Sequence, residues 1–204
     1  MSATTFYLIR HAQKEGGEGW LPGRMPGVHI TEEGRAQAER LADALADVPF
    51  QGIYCSSLER VYETARPLCE RLGLPWNTVD EILEIDFGDW TNRTIGDLDG
   101  DEVWRRFNTF RSGTCAPRGE LMLDVQARFV RKMIELQAVH SGGAVALFSH
   151  ADPIRCAIAY FLGIPLDFFL RIEIDPASVS IIELDDYGPR VRCVNQNLIG
   201  QAIL

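Results

Sequence analysis

Two arginines and two histidines follow short apolar segments of the sequence, and their side-chain types suit a phosphate. They are Arg10 and His11 after residues 5–9, Arg60 after residues 52–55, and His150 after residues 144–148. An arginine offers a rigid fork of N–H donors to the oxygens of a phosphate or another tetrahedral oxyanion. The N-termini of helices predicted at Ser57 and Asp152 add backbone donors and positive dipole ends. These residues together predict an oxyanion-binding site.

The apolar segments belong to strand–helix units. Apolar patterns predict strands over residues 5–9, 52–55, 144–148, 178–184 and 190–194, and helices over 31–48, 56–72, 123–140 and 152–162. Ser56 with Glu59 three residues later has the spacing of a capping box. Asp152 followed by Pro153 predicts a helix N-cap with proline in the first helical position.

Strands that alternate with helices predict an α/β fold. We expect a three-layer α/β/α sandwich around a mostly parallel central sheet. Residues 74–120 fit this alternation least, and we expect them to form an inserted cap over the carboxyl ends of the strands. The whole chain, residues 1–204, is expected to be a single domain. Because ligands bind beyond the carboxyl ends of the strands in such sheets, the two arginines and two histidines are expected to meet in one crevice.

The composition limits the classes of protein to which the chain can belong. It has 204 residues, 46% of them hydrophobic, and a formal net charge of -9, which is typical of a compact soluble domain and argues against a nucleic-acid partner. The apolar runs are far shorter than the ~20 residues of a membrane span, and the first residues lack a basic leader, so a cytoplasmic location is expected. Five cysteines without C-x-x-C spacing predict reduced thiols and no thiolate zinc site.

Four segments, in order and spacing, resemble the motifs of the histidine phosphatase superfamily, in its phosphoglycerate-mutase-like branch. They are LIRHA at residues 8–12, SSLERVYETA at 56–65, LEIDFGDW at 83–90 and SHADPIR at 149–155. Two weaker matches are PGRMPGVHITEEG at residues 22–34 and the glycine–glutamate pair at 119–120. The resemblance covers residues 6 to about 194, and four motifs in the right order are a specific signal.

The resemblance implies a role for each motif residue. It assigns His11 as the nucleophile that becomes phosphohistidine, Arg10, Arg60 and His150 as the phosphate pocket, and Glu84 as the proton donor to the leaving oxygen. A neutral imidazole is nucleophilic near pH 7, and two guanidiniums with a protonated His150 can meet the charge on the phosphoryl oxygens. Glu84 then needs a raised pKa, which apolar neighbours can supply. No metal or other cofactor is implied.

Further motif positions are expected to bind substrate, and they are Gln13, Lys14, Gly23, Arg24 and Ala151. Ala12 and Ala151 stand where the family has glycine, and the added methyl groups are expected to be tolerated. From spacing alone, Glu81, Asp86 or Asp89 could be the acid in place of Glu84.

Three other phosphoryl-transfer mechanisms fit the residues less well. A cysteine phosphatase needs five residues between its cysteine and arginine, whereas four separate Cys55 from Arg60. A metallophosphoesterase could use His150 and Asp152, but no second cluster of ligands follows. A P-loop enzyme needs a glycine-rich motif that the chain lacks.

The sequence therefore predicts a metal-independent phosphomonoester hydrolase that acts on a small phosphorylated metabolite through a phosphohistidine. The segment after Glu84 is acidic before it is basic, which favours a phosphatase over a cofactor-dependent phosphomutase of the phosphoglycerate mutase type. The other alternative is a non-catalytic phosphoryl-binding protein. An aromatic wall for the leaving group is expected from Trp20, Phe87, Trp90, Trp104 and Phe107. Oligomeric state is open, with residues 190–194 as an edge strand through which a homodimer could pair.

Overall fold

The computed structural model describes residues 3–198 of the chain. The strands are β1 (Thr4–Arg10), β2 (Trp20–Leu21), β3 (Phe50–Cys55), β4 (Trp76–Thr78), β5 (Arg93–Thr94), β6 (Ala144–Ser149), β7 (Val179–Asp185) and β8 (Gly188–Gln196). The α-helices are α1 (Glu32–Leu45), α2 (Glu59–Leu72), α3 (Glu102–Thr109), α4 (Met122–Val139) and α5 (Ala151–Leu162). Short 3-10 helices lie at Asp80–Ile82, Gly88–Trp90, Gly96–Leu98 and Leu166–Arg171.

Within residues 3–198, six strands form one central sheet in the order β4-β3-β6-β1-β7-β8. The pairs β4/β3, β3/β6 and β6/β1 are parallel, and the pairs β1/β7 and β7/β8 are antiparallel. The mostly parallel sheet predicted from the sequence is therefore confirmed, with an antiparallel extension made by the last two strands. Because β1, β3 and β6 run in the same direction, the residues after them lie at the same end of the sheet.

Helices cover both faces of this sheet. On one face, α1 and α2 pack against side chains that include Ile9 and Phe148. On the other face, α4 and α5 pack against side chains that include Leu8 and Leu147. Successive residues of a strand point to opposite faces, so a strand buried on both sides must be apolar throughout. The predicted three-layer α/β/α sandwich is thus the observed fold.

Both helix caps predicted from the sequence are wrong. The N-cap of α2 is Leu58, which makes no side-chain cap to the helix in the described part of the chain. The Ser56 hydroxyl lies instead 2.8 Å from the Nε2 atom of His150. The N-cap of α5 is His150, so Asp152 lies inside the first turn and its carboxylate accepts hydrogen bonds from arginines. In both cases a long-range polar partner competes successfully with the local backbone donors.

The predicted insertion, residues 74–120, lies only partly outside the sheet. Its first part, Trp76–Thr78, forms β4 and pairs in parallel with β3. After β4 the chain leaves the sheet, and β5 pairs with β2 to form a separate two-stranded ribbon. We call residues 79–120 the cap segment. Two parts of this segment pack closely against each other: a Cβ added at Gly88 would lie only 2.2 Å from the carbonyl oxygen of Pro117.

The sequence predicts no membrane-spanning helix and no disulfide, and the described residues bear on both predictions. Between residues 3 and 198, no helix combines the length and apolar character that crossing a bilayer requires. All five cysteines lie in this range, and none forms a disulfide. Burial raises the pKa of the Cys55 and Cys156 thiols well above the ordinary value, so both are expected to be unreactive.

Gly34 is the point at which α1 touches the backbone after His11. A Cβ on Gly34 would lie 2.2 Å from the carbonyl oxygen of Gln13 and 3.0 Å from the Cβ of Ile30. Alanine is favoured over glycine inside a helix by about 1 kcal/mol, but we expect the backbone clash to dominate. Gly34→Ala should lower the free energy of unfolding by about 1–3 kcal/mol in denaturant titrations. Gly19→Ala is the control, because a Cβ there has no neighbour within 4 Å; a Gly34→Ala protein as stable as wild type would contradict the prediction.

Candidate active site

A cavity of about 240 Å³ opens at the carboxyl ends of the parallel strands. The sequence-predicted residues that line it are Arg10, His11, Lys14, Gly23, Arg60, Glu84 and Ala151. His150 is fully buried beside them, and the centroid of its ring lies 5.2 Å from that of His11. The structure therefore brings together residues that follow three different strands, as parallel topology requires.

His11 is held at the end of β1 with one ring nitrogen facing its own backbone. Its backbone N–H donates to the carbonyl oxygen of Ser149 at 2.9 Å, which extends the sheet pairing by one residue. The ring Nδ1 lies 2.8 Å from the carbonyl oxygen of Ala12. Since a carbonyl only accepts, Nδ1 carries the proton and Nε2 keeps its lone pair. Burial, with the charges of Arg60 and Arg10, holds the pKa of His11 well below its ordinary value, so the ring is neutral at pH 7.

Two buried arginines with partly unpaired N–H donors line the cavity. Arg60, in the first turn of α2, is 1% exposed and donates from Nη2 to the carbonyl oxygen of Gly23 at 2.8 Å. Arg10 donates to the carbonyl oxygen of Ile174 and to the carboxylate of Glu18, both at 2.7 Å. Within residues 3–198, Nε and Nη1 of Arg60 and Nε of Arg10 have no partner. Buried unpaired donors are costly, and an oxyanion between the two guanidiniums would satisfy them.

Glu84 enters the cavity from the cap segment. Its Oε1 accepts a hydrogen bond from the backbone N–H of Ile85 at 3.0 Å, and its Oε2 lies 3.8 Å from the Nδ1 of His150. Arg24 fixes the backbone of Glu84 by donating to its carbonyl oxygen at 2.8 Å. Burial, reinforced by the negative charge of Asp152, raises the pKa of Glu84 to about 7. A carboxyl group with this pKa can give or take a proton at neutral pH.

The other acids near Glu84 in sequence have partners elsewhere. Their partners are Lys132 for Glu81, the backbone N–H of Gly88 for Asp86, and Arg118 for Asp89. Of the four acids, Glu84 alone lines the cavity, so tertiary structure separates candidates that spacing left equivalent. Over the described range of the chain, no group of three His, Cys, Asp or Glu side chains could hold a metal ion.

His150 is oriented by Ser56, whose spacing from Glu59 had predicted a helix cap. The Ser56 Oγ lies 2.8 Å from its Nε2, and Arg60 Nη2 lies 3.4 Å from its Nδ1. Burial, followed by the charge of Arg60, holds the pKa of His150 well below its ordinary value. Without a bound anion, His150 is therefore held in its neutral form, and its protonation beside a phosphoryl group stays a prediction. A bound phosphate dianion would oppose this shift by adding negative charge beside the ring.

Two predicted substrate-binding residues do not line the cavity. Gln13 is exposed, and its side-chain oxygen accepts a hydrogen bond from Thr31 at 3.2 Å. Arg24 donates to Glu120 at 2.7 Å and to the carbonyl oxygen of Glu84. Gln13 turns towards α1, and Arg24 braces the backbone of Glu84. Direct contact of these two residues with substrate stays a prediction.

The predicted aromatic wall forms only in part. The members that line the cavity are Trp20, Phe87 and Trp104. Trp90 and Phe107 are buried behind them, with ring centroids 5.1 Å apart, and they support the wall without contributing to its surface. Lys14 also lines the cavity, where its ammonium group donates to the carbonyl oxygen of Gly17 at 2.5 Å and lies 5.2 Å from the Trp20 ring.

Several polar residues of the cavity were not identified as such from the sequence. They are Glu18, Asn108, Arg111, Asp152 and Arg155. Asp152 and Arg155 lie within the SHADPIR segment, whose histidine was identified. Their positions in the helix that follows His150 could have indicated that they face the same cavity. Asn108 and Arg111 lie in the cap segment, where no pattern indicated which side chains face the cavity.

Comparison with known proteins agrees with this geometry. The family model described as histidine phosphatase superfamily (branch 1) matches residues 6–197. Phosphoserine phosphatase 1 of Hydrogenobacter thermophilus is 31% identical over 190 residues, which cover 88% of this chain and 86% of that protein. The adenosylcobalamin/alpha-ribazole phosphatase of Escherichia coli is 27% identical over 200 residues, which cover 95% of this chain and 97% of that protein.

Solved structures give the same result for the fold. The alpha-ribazole phosphatase from Shigella flexneri superposes with a TM-score of 0.85 at 27% identity, covering 98% of this chain and 100% of that one. The family match, the relatives and the fold all extend over nearly the whole chain. The chain is therefore a phosphatase that belongs to the histidine phosphatase superfamily, branch 1.

Proposed function

We propose that this phosphatase hydrolyses a small phosphorylated metabolite without a metal ion, through a phosphohistidine at His11. The observation that carries the proposal is a buried His11 ring, with Nδ1 facing the carbonyl oxygen of Ala12, in one cavity with the buried, partly unpaired guanidiniums of Arg10 and Arg60. The neutral ring can attack phosphorus, and the donors match the charge on the equatorial oxygens of the transferring group. The cavity of about 240 Å³ is smaller than the roughly 300 Å³ at the lower end of drug-sized sites, which supports a small substrate.

In the first step, the lone pair on Nε2 of His11 forms a bond to phosphorus while the bond from phosphorus to the ester oxygen breaks. Protonated Glu84 transfers its proton to that oxygen, and the alcohol leaves. The guanidiniums of Arg10 and Arg60 stabilise the phosphoryl oxygens during transfer. The proton on Nδ1 of His11 stays on that nitrogen and is donated to the carbonyl oxygen of Ala12, so the ring keeps its orientation as it gains charge.

In the second step, Glu84 is a carboxylate and takes a proton from water. The water oxygen bonds to phosphorus, the P–N bond breaks, and its electron pair returns to Nε2 of His11. Inorganic phosphate leaves, and both side chains regain their starting protonation. A pKa near 7 suits Glu84 to both directions of transfer.

The named activities of the relatives support the general reaction. One relative is named for phosphoserine and another for adenosylcobalamin and alpha-ribazole, and we extend to this chain the class that they share, a phosphomonoester. A phosphomutase and a non-catalytic phosphoryl-binding protein are outcomes that the experiments below distinguish. The cytoplasmic location, the single-domain organisation and the oligomeric state stay predictions.

Removal of the nucleophile is the first test. His11→Ala should lower kcat for 4-nitrophenyl phosphate by at least about 10³-fold, whereas wild type should keep its activity in excess EDTA. A quench in base should trap phosphate covalently on wild type and not on His11→Ala. His29→Ala is the matched control, because His29 is exposed and pairs with Glu63 outside the cavity. Loss of activity in EDTA would contradict metal independence, and absence of any phosphomonoester turnover would favour the alternatives.

The acid role of Glu84 predicts the pH dependence. Since its pKa is about 7 and the protonated form donates, kcat for an alkyl phosphate should fall as the pH rises through about 7. The lowered pKa of His11 keeps the nucleophile neutral over this range. Glu84→Gln should slow alkyl phosphates by about 10²–10⁴-fold, and aryl phosphates less, because an aryl leaving group needs less protonation. Equal losses for both substrates would contradict this role.

Asp152 is expected to set the pH at which kcat falls, that is, the falling limb of the pH profile. Its negative charge raises the pKa of Glu84, so Asp152→Asn should lower this pKa and move the falling limb of kcat to lower pH. Asp47→Asn makes the same charge change at an exposed position outside the cavity and should leave the limb in place. A limb that does not move in Asp152→Asn would show that burial alone raises the pKa.

A further inference from the structure

A carboxylate already bonds one of the two arginines that we propose bind phosphate. Oε2 of Glu18 lies 2.7 Å from Nη2 of Arg10, and both side chains line the active-site cavity. The Arg10 side chain is 10% exposed, whereas that of Glu18 is 61% exposed. A buried guanidinium of the candidate site is therefore paired with a carboxylate that is largely in water.

The other contacts of Arg10 leave it one edge for a phosphate. Nη1 donates to the backbone carbonyl oxygen of Ile174 at 2.7 Å, which holds the guanidinium against the segment before β7. Within residues 3–198, Nε is buried and has no partner. Nε and Nη2 form the side-on edge of the guanidinium, which can bind two oxygens of one tetrahedral anion. The edge that Ile174 leaves open therefore includes the nitrogen that Glu18 bonds.

A phosphate on that edge would lie close to the Glu18 carboxylate. With a hydrogen bond of about 2.8 Å from Nη2 of Arg10 to phosphate, the phosphate oxygen and Oε2 of Glu18 would be at most about 5.5 Å apart. Two anions at this distance repel each other, and the repulsion near a protein surface is several times stronger than in bulk water. Phosphate and Glu18 therefore compete for the same guanidinium.

The loop that carries Glu18 allows its side chain to leave Arg10. Gly17 and Gly19 flank Glu18, and a Cβ on either glycine would have no neighbour within 4 Å among the described residues. The backbone beside Glu18 is held separately, because Nζ of Lys14 donates to the carbonyl oxygen of Gly17 at 2.5 Å. Rotation of one exposed side chain is thus enough to free Nη2, and water then solvates the carboxylate.

We propose that Glu18 competes with phosphate for Arg10 and thereby promotes the release of inorganic phosphate after the second step. The inference rests on the proposed function. In the free enzyme the carboxylate neutralises a buried guanidinium, which is costly when it is unpaired. The phosphoryl group of the substrate displaces the carboxylate, and its return offsets the cost of leaving Arg10 unpaired when phosphate departs. Glu18 therefore lowers the affinity of the site for every ligand that places phosphate on Arg10.

The first test measures the Kd of inorganic phosphate by isothermal titration calorimetry. Glu18→Gln keeps the size of the side chain and removes its charge, so phosphate should bind about 10-fold more tightly than to wild type. Glu18→Asp keeps the charge and should stay closer to wild type. Glu15→Gln is the matched control, because Glu15 is an exposed carboxylate of the same loop that does not line the cavity. Its Kd should equal that of wild type.

The second test measures kinetic constants with 4-nitrophenyl phosphate. In Glu18→Gln, KM and the inhibition constant of inorganic phosphate should both fall by about 10-fold, because substrate and product lose the same competitor. The value of kcat should not rise, since tighter binding of ground state and transition state alike lowers KM alone. A merely structural role of Glu18 would weaken binding or stability and would not tighten the binding of phosphate.

The outcomes separate this inference from the proposed function. A phosphate affinity that is unchanged or weaker in Glu18→Gln, or equally tightened in Glu15→Gln, overturns the inference, and the phosphatase mechanism stands if wild type hydrolyses 4-nitrophenyl phosphate. If wild type hydrolyses no phosphomonoester, the proposed function fails and the role in release fails with it, whereas calorimetry still decides whether Glu18 competes with phosphate. If neither wild type nor Glu18→Gln binds phosphate, both proposals are wrong. Circular dichroism melting curves check the fold of each variant.

Discussion

The burial of two guanidiniums at the end of a parallel sheet is the constraint on which the site depends. Arg60 is almost entirely enclosed, and Arg10 is nearly so, yet several of their N–H groups have no partner within the described chain. Such an arrangement lowers stability on its own. It persists because β1 pairs with a strand on each side and α2 packs against one face of the sheet, which fixes the backbone from which both arginines extend into the cavity.

The same low-polarity environment shifts acids and bases in opposite directions. Burial disfavours whichever form is charged, so it lowers the pKa of His11 and raises the pKa of Glu84. The guanidiniums add to the first effect, and Asp152 adds to the second. Burial therefore allows a neutral His11 and a protonated Glu84 at the same pH. In water, a glutamate is mostly protonated only below about pH 4 and a histidine is mostly neutral only above about pH 6.5, so the two conditions do not overlap.

The central sheet and the cap segment contribute different parts of the candidate active site. The ends of the strands and the starts of α2 and α5 hold the groups that we propose bind phosphate, and these positions are determined by the sheet. The cap segment supplies Glu84, part of the apolar wall and Arg111. Glu120 joins the two parts, because it accepts hydrogen bonds from both Arg24 and Arg128, and Arg128 also donates to the backbone carbonyl of Leu83 beside the acid. The acid is thus held by a network outside the cavity.

The sequence by itself determined the order of the longer strands β1, β3, β6, β7 and β8 and of the helices α1, α2, α4 and α5, because apolar periodicity is a local property; it did not predict β2, β4, β5 or α3. From the order of these elements it also predicted the convergence of the residues that follow the strands. It also identified the motif histidines and arginines. Only tertiary structure decided which acid faces the cavity, that Ser56 contacts His150, and that Arg24 braces the backbone of Glu84. It also decided that Arg111 lines the cavity. Those outcomes depend on contacts between residues distant in sequence, where packing and competition for hydrogen-bond partners outweigh local preference.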